Sequence, residues 1–174
     1  MVFALKPNHP ALSLFIIILL ALLPAGCGKK DDAKAIRNLI QQGALLAEKH
    51  AVGDILDLAV PEFTASPGQH KTDDVKRILF AAFQYYGKFR IHYPQPSVAV
   101  NESSTNAQTV IYFMIVRQDY DFPDLEDLYP DPERWLEAAS GKADLYQLKL
   151  DLVKTGKKWK VTHAELEGFK GYDF

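Results

Sequence analysis

The sequence predicts an α+β domain, in which helices come before an antiparallel sheet and pack on one of its faces. Two patterns lead to this prediction. Up to Tyr86, apolar residues recur every three or four positions, which is the spacing of a helix with one buried side. After Gly87 they alternate with polar residues, which is the spacing of a strand. Helices gathered ahead of a meander of strands are typical of the α+β class.

The chain opens its helical part with an amphipathic segment at 33–50. Asp31 and Asp32 precede it, where negative side chains favour a helix start. A short second helix is predicted at 52–60 and ends before Pro61, because a residue before proline avoids the helical conformation.

The strongest helical pattern lies further on, at 72–86. A brief extended piece at 62–65 and a turn at 66–68 lead into it. Thr72 is placed to cap this helix and Gly87 to end it.

The strand half of the chain consists of segments with alternating polarity, separated by short turns such as 103–106 and 155–157. The predicted strands are 88–93, 97–102, 107–118, 143–154 and 159–166.

One connection, at 119–142, is much longer than the other turns. It carries eight acidic residues from Asp119 to Glu137, together with several aromatic ones. Residues 131–139 within it predict a short helix with Pro132 in its first turn. A connection of this length in a compact domain usually has a function or local order of its own.

The N-terminus has the three parts of an export signal. A short polar start with Lys6 precedes an apolar run of 13 residues at 11–23, and small residues follow up to Gly26. A spanning helix needs about 20 apolar residues, so this run is short for one. We therefore predict a cleaved signal peptide at 1–26.

Cys27 gives this signal a more specific meaning. Leu23-Pro24-Ala25-Gly26-Cys27 resembles the lipobox that bacterial lipoprotein maturation enzymes recognise. The resemblance implies a diacylglyceryl thioether on Cys27 and an N-linked acyl chain such as palmitate, and two or more chains hold a protein stably on a membrane. The alternative is a plain signal peptide followed by an incidental cysteine. Cys27 is the only cysteine, so no disulfide forms within the chain.

The resemblance also implies a location and a division of the chain. Gly28 follows the cysteine, whereas an aspartate there retains lipoproteins in the inner membrane of enterobacteria-like systems. An outer-membrane anchor with the domain facing the periplasm is therefore expected. The predicted parts are the signal 1–26, a lipidated tether 27–32 and one domain at 33–174.

Charge argues against nucleic acid as a partner. Lys6 is the only charged residue of the first 26, so 19 of the 20 basic and all 22 acidic side chains remain after it, a net charge of −3. A nucleic-acid-binding domain of this size would carry a concentrated basic face.

The order of elements resembles the nuclear-transport-factor-2-like superfamily, which includes polyketide-cyclase-like and ketosteroid-isomerase-like proteins. The resemblance spans about residues 33–166. The resemblance rests on three segments: residues 51–56 after the first helix, the helix 73–86, and a final hairpin in which Gly156 precedes Trp159-Lys160-Val161. It implies a curved, cone-shaped sheet with an apolar cavity between sheet and helices, in which enzymatic relatives hold a carboxylate or histidine.

Three residues are predicted to line such a cavity. Trp159 and Val161 alternate along the last strand, so His163 is the next residue on the same face, and Tyr112 is expected as an aromatic wall. His163 is either catalytic or, the favoured interpretation, a partly exposed strand-end histidine. No aspartate stands at a clearly inward strand position, so no catalytic residue is assigned and no cofactor is implied.

The acidic connection is a candidate calcium site. Asp119, Asp121, Asp124, Glu126 and Asp127 offer oxygen ligands for calcium, but the segment lacks the central glycine and closing glutamate of a calcium loop. A solvated loop is the favoured interpretation. The sequence has no CxxC or HExxH motif, so no zinc site is predicted either.

The leading functional hypothesis is a non-enzymatic, membrane-anchored domain that binds a small apolar ligand or an envelope partner, or acts as an accessory subunit. One alternative is a small-molecule isomerase or lyase that uses the cavity. Another is a homodimer joined through the open sheet face. A buried carboxylate or histidine in the cavity would favour the enzyme, and an exposed apolar patch on the outer sheet face would favour the dimer.

Overall fold

The computed structural model describes residues 27–140 and 144–169. The predicted signal peptide at 1–26 lies outside the described residues. The helices are α1 (Cys27–Glu48), α2 (Val52–Leu56), α3 (Thr72–Tyr86) and α4 (Pro132–Ala139), with a 3-10 turn at Glu126–Leu128. The strands are β1 (Ala59–Ser66), β2 (His70–Lys71), β3 (Phe89–His92), β4 (Ser97–Val100), β5 (Asn106–Arg117), β6 (Leu145–Thr155) and β7 (Lys158–Phe169).

The strands form one sheet in the order β2-β1-β7-β6-β5-β3, with β4 also paired to β5. The α+β prediction is confirmed. Among the described strands every pairing is antiparallel except that of β1 with β7, which is parallel, so the sheet is mixed. The parallel pair arises because the chain crosses the whole domain between Ser66 and Lys158 before it returns beside β1.

The segment around Pro61 was predicted as a helix end, and this is wrong. Helix α2 stops at Leu56, and β1 runs from Ala59 through Pro61 to Ser66. The register between β1 and β7 shifts between Ala59 and Thr64, and an irregular stretch of this kind accommodates a residue that lacks a backbone N–H.

Helix α1 begins at Cys27, six residues before the predicted start at Ala33. The residues predicted as a lipidated tether, 27–32, therefore form its first turns. The reason is a tertiary contact, because Asp32 is buried and bonded to the β6–β7 hairpin.

Helix α3 has the predicted bounds, and Gly87 ends it with φ +63°. The cap is one residue earlier than predicted: the backbone N–H of Lys71 donates to the Asp74 carboxylate at 3.2 Å, so Thr72 lies inside the helix. Helix α4 is also confirmed.

The main core lies between α1 and one face of the sheet, here called the inner face. Ile36 and Ile40 of α1 pack there against side chains from β1, β5, β6 and β7. The sheet residues of this cluster are Phe63, Ala107, Ile111, Leu150, Leu152, Trp159 and Val161.

A second core lies on the opposite, outer face. Residues 119–140 fold back over it, and Trp135 and Leu136 of α4 pack on Met114, Val116 and Leu145 of the sheet. The long connection is therefore ordered by its aromatic and aliphatic residues and covers one end of the outer face.

Three carboxylates of that connection have hydrogen-bond partners of their own. Asp119 pairs with Arg117, Asp124 accepts from the Glu126 backbone at 2.9 Å, and Asp131 caps α4 by accepting from the Arg134 backbone at 3.2 Å. Within residues 27–140 and 144–169, no three His, Cys, Asp or Glu side chains gather closely enough to hold a metal ion.

Candidate ligand-binding site

A cavity of about 450 Å³ opens at the end of the sheet where β5 ends and β6 begins. The C-terminus of α3, the end of β5, the start of the long connection and the start of β6 form its walls. Its side chains include four tyrosines, from three different elements, and a rim of charges. They are Tyr85, Tyr86, Tyr120, Tyr146, Arg117 and Asp119.

The least exposed polar side chains of this cavity are a pair of phenols. The hydroxyl oxygens of Tyr86 and Tyr146 lie 2.9 Å apart, and each ring is held by a neighbour. Tyr146 stacks on Phe113 with centroids 5.4 Å apart, and Tyr86 meets Phe89 edge to face at 6.0 Å. The two hydroxyls are therefore fixed in place by aromatic packing.

The environment keeps Tyr86 protonated. Burial raises the pKa of Tyr86 far above its usual value, and the hydrogen bond with Tyr146 adds to the effect. Two neutral phenols share two protons, and their mutual hydrogen bond uses only one of them. One O–H and the remaining lone pairs are left for a bound molecule.

The rim carries an ion pair that is open to solvent. Arg117 donates twice to Asp119, at 2.9 and 3.1 Å. The hydrogen bond from Arg117 lowers the pKa of Asp119, and the same contact raises the pKa of Arg117. Both groups therefore stay charged over the physiological pH range.

These pKa shifts determine whether the groups are suited to general acid–base catalysis near neutral pH. General acid–base catalysis near neutrality works best with a group whose pKa lies near the working pH. The pKa values of Tyr86, Asp119 and Arg117 all move away from neutrality. The cavity is arranged as a surface of hydrogen-bond donors and aromatic walls.

The resemblance implied a cavity between the sheet and the helices, and the part of this space between α1 and the sheet is filled by the main core. Trp159 does face inward as predicted, but it belongs to that core and is 4% exposed. Its indole N–H donates to Asp32 at 3.1 Å. Trp159 therefore supports the fold and does not line the cavity.

The prediction that His163 faces inward is wrong. In the ladder Val161 pairs with Leu152 but His163 pairs with Asp151, so Thr162 is an extra residue that forms a bulge. A bulge reverses the alternation of side chains beyond it. His163 lies on the outer face, where its ring nitrogens contact the hydroxyls of Thr64 at 2.9 Å and Ser66 at 3.3 Å.

Tyr112 also lies on the outer face, and its assignment to the cavity wall is wrong. Ile111 belongs to the main core, so the next residue along β5 points to the other side. Tyr112 packs there beside the second core, with Phe122 and Tyr129 of the long connection.

The residues that do form the cavity were not singled out from the sequence. Tyr86 is the last residue of a predicted helix, and Tyr146 begins the apolar face of a predicted strand. A tyrosine at the end of an apolar stripe is a weak signal, since it also suits a residue at the border between core and solvent.

The remaining outer face is polar, which bears on the proposed sheet-to-sheet dimer. Gln108 donates to Asp151 at 2.9 Å, and Lys149 lies 3.6 Å from Glu165 and 3.5 Å from Glu167. The part of this face that is apolar is covered by the protein's own residues 119–140. The described outer face thus favours contact with water over contact with a second sheet.

No protein-family model and no curated protein sequence matches this chain. Solved structures do match it. A scytalone dehydratase-like protein from Novosphingobium aromaticivorans is 15% identical, with a TM-score of 0.61 over 84% of this chain and 90% of that one. A nuclear-transport-factor-2-like protein with a cystatin-like fold from the same organism is 12% identical, with a TM-score of 0.58 over 97% and 95%.

A third structure, of a ring-hydroxylase-like protein from the same genus and species, is 14% identical, with a TM-score of 0.54 over 80% of this chain and 94% of that one. At these identities the matches show the fold. The protein has the nuclear-transport-factor-2-like, or cystatin-like, α+β fold that the sequence resemblance implied.

Proposed function

We propose that this protein is a lipoprotein of the bacterial envelope whose domain binds a small, largely apolar molecule in the tyrosine-lined cavity. The observation that carries the binding function is the Tyr86–Tyr146 pair, held by aromatic packing inside a cavity of about 450 Å³. Cavities of roughly 300–1,000 Å³ with apolar walls and a few fixed polar groups are the usual sites for small ligands.

The walls define the chemical class of the ligand. Tyr85, Tyr120 and Phe122 offer ring faces to a flat apolar body, and the phenol pair offers a hydrogen bond to a carbonyl or hydroxyl. Arg117 at the rim is available to a partly negative group. A compact aromatic molecule with one oxygen function meets all three features.

The anchor is supported by the sequence around Cys27. Among residues 27–140 and 144–169, no helix has the length and apolar character needed to cross a bilayer. Lipid on Cys27 would hold the domain at the membrane, and Gly28 favours the outer membrane. Intact mass of protein from envelope fractions tests this proposal: the expected N-terminal residue is Cys27 with acyl chains, and an unmodified thiol there would refute it.

The cavity is tested with 2-naphthol as a probe, by calorimetric titration of the full lipidated chain in detergent. One hydrogen bond in an apolar site is worth about 1 kcal/mol, so Tyr86→Phe or Tyr146→Phe should weaken binding by about five-fold. Tyr112→Phe, a tyrosine of the outer face, is the matched control and should leave binding unchanged. Failure of 2-naphthol to bind, or equal effects of all three variants, would refute the cavity assignment.

An isomerase or lyase is the second candidate, and the phenol pair is the observation that favours it. A protonated phenol can stabilise charge that develops on a carbonyl oxygen, and a scytalone dehydratase-like protein is among the structural neighbours. Native mass spectrometry of the envelope-purified protein separates the hypotheses. A retained intact ligand supports binding, loss of water from an added hydroxyketone supports catalysis, and the same spectrum gives the number of subunits.

A further inference from the structure

The start of α1 is locked to one end of the sheet. One carboxylate oxygen of Asp32 accepts hydrogen bonds from the Lys154 ammonium at 2.5 Å and from the Trp159 indole at 3.1 Å. Both donors flank the turn of the β6–β7 hairpin. Cys27 lies five residues earlier on the same helix, about 8 Å along its axis. The proposed site of lipid attachment is therefore held beside this hairpin turn.

Four exposed lysines lie at this end of the domain. Lys29 and Lys30 follow Cys27 in the first turns of α1, Lys157 lies in the hairpin turn, and Lys158 begins β7. We call these four residues the basic collar. The exposed acids at this end are Asp31 and Glu102, since Asp32 is already paired with Lys154. The collar thus keeps an excess of positive charge beside the anchor.

The opposite end of the sheet has the opposite charge. The eight acids between Asp119 and Glu137 lie in the long connection at the start of β6, and the tyrosine-lined cavity opens there too. Strand β6 has 11 residues, so roughly 35 Å separate this end from the hairpin turn. Although the net charge of the chain is negative, its charges are segregated along the sheet.

We propose that the basic collar contacts anionic phospholipid headgroups and holds the domain upright, with its cavity facing away from the bilayer. The proposal rests on the lipid anchor at Cys27. Lysines near an anionic membrane surface each favour contact by about five-fold. The acidic end is repelled by the same surface, so both ends of the molecule favour one orientation.

The experiment uses the full lipidated chain in vesicles of phosphatidylcholine with or without phosphatidylglycerol. Lipidation blocks Cys27, the only native cysteine, so a fluorophore attaches to one introduced cysteine: Thr155→Cys at the hairpin turn or Glu133→Cys at the far end. A spin-labelled headgroup lipid quenches a fluorophore that lies near the bilayer. With phosphatidylglycerol, the label at 155 should be quenched at least about two-fold more than the label at 133, and high salt should reduce the difference.

Two charge variants sharpen the test. Lys157→Glu with Lys158→Glu should reduce quenching at position 155 to the level in phosphatidylcholine alone. Lys76→Glu with Lys88→Glu makes the same change in net charge at exposed positions outside the collar, and quenching should stay as in the parent.

The outcomes separate the two proposals. An unmodified thiol at Cys27, with no incorporation into vesicles, would overturn both the anchor and the orientation. The orientation alone would be overturned if the protein is lipidated and inserted in vesicles but its two labels are quenched equally. The same holds if quenching does not depend on phosphatidylglycerol. The second result would also be the one expected if the collar contacts a protein instead of lipid.

Discussion

Replacement of Asp32 by alanine should destabilise the domain strongly, although sequence patterning placed this residue in a tether. Asp32 is 6% exposed, and its carboxylate joins α1 to both strands of the terminal hairpin through Lys154 and Trp159. Removal of the carboxylate leaves the Trp159 indole N–H buried without its acceptor and Lys154 without its counter-charge.

The magnitude follows from these two losses. A hydrogen bond to a charged group contributes about 1.5–3 kcal/mol, and a buried donor left unpaired costs about 1–3 kcal/mol. Lys154 is partly exposed, so solvent screens its share of the interaction. We therefore expect the free energy of unfolding to fall by about 2–4 kcal/mol, with a loss of roughly 6–15 °C in Tm. Asp32→Asn keeps an acceptor for the indole and should lose about half as much.

Thermal and urea unfolding of the full chain in detergent, followed by tryptophan fluorescence, measures the change. Asp31→Ala is the matched control, because Asp31 is an exposed aspartate one position earlier on the same helix, and it should change stability by less than about 0.5 kcal/mol. Equal effects of Asp31→Ala and Asp32→Ala would show that the hydrogen bonds of Asp32 with Lys154 and Trp159 do not stabilise the domain.

The pH dependence has a definite sign. The hydrogen bond from Lys154 is the main cause that lowers the pKa of Asp32 in the folded protein. A carboxylate whose folded pKa is lowered contributes stability above its unfolded pKa of about 3.9, and this stability is lost as the pH falls through the folded pKa. The difference in stability between the parent and Asp32→Asn should therefore shrink below about pH 4.

Three further predictions address other parts of the molecule. Burial lowers the pKa of His92, which contacts the Tyr129 hydroxyl at 3.0 Å, so the folded protein should lose stability as the pH falls below about 6.5, and His92→Phe should flatten this loss in a series of urea titrations. Trp135 is fully buried in the second core, so Trp135→Ala should cost about 3–5 kcal/mol by the same titrations. Trp135→Phe should cost less than half of that, because the indole N–H has no hydrogen-bond partner among the described residues. Deletion of Thr162 removes the extra residue of the bulge and leaves Val161 and His163 in regular alternation on their present faces, so circular dichroism should show a folded chain, and Thr162→Ala loses one hydrogen bond and should cost about 1 kcal/mol.

Local pattern was sufficient for much of the secondary structure. The periodicity over 72–86 matches α3, and the alternation after Gly87 matches the strands to within a few residues. It failed where a distant contact decides the outcome. Asp32 extends α1 backward because Lys154, over a hundred residues away in sequence, lies beside it. Strand β1 forms around Pro61 because β7 is there to pair with it.

In the candidate site, too, local pattern predicted some features and distant contacts decided the others. Alternation along the last strand assigned Trp159 correctly to the inner face, but one extra residue, Thr162, moved His163 to the outer face. A bulge has no reliable sequence signature, because its stability comes from pairing with both neighbouring strands. The phenol pair likewise joins residues 60 positions apart, at the ends of a helix and a strand.

By itself, the sequence determined the class of fold, the bounds of its most periodic elements and the prediction of an anchor at Cys27, because each depends on residues close together in the chain. The tertiary structure decided which face every strand residue occupies, where the interior is filled, and where it leaves a cavity. It also placed the lysines of the basic collar at the end of the sheet where α1 begins, and the acidic connection at the far end. These features depend on register and on contacts between distant segments, and local pattern does not specify either of them.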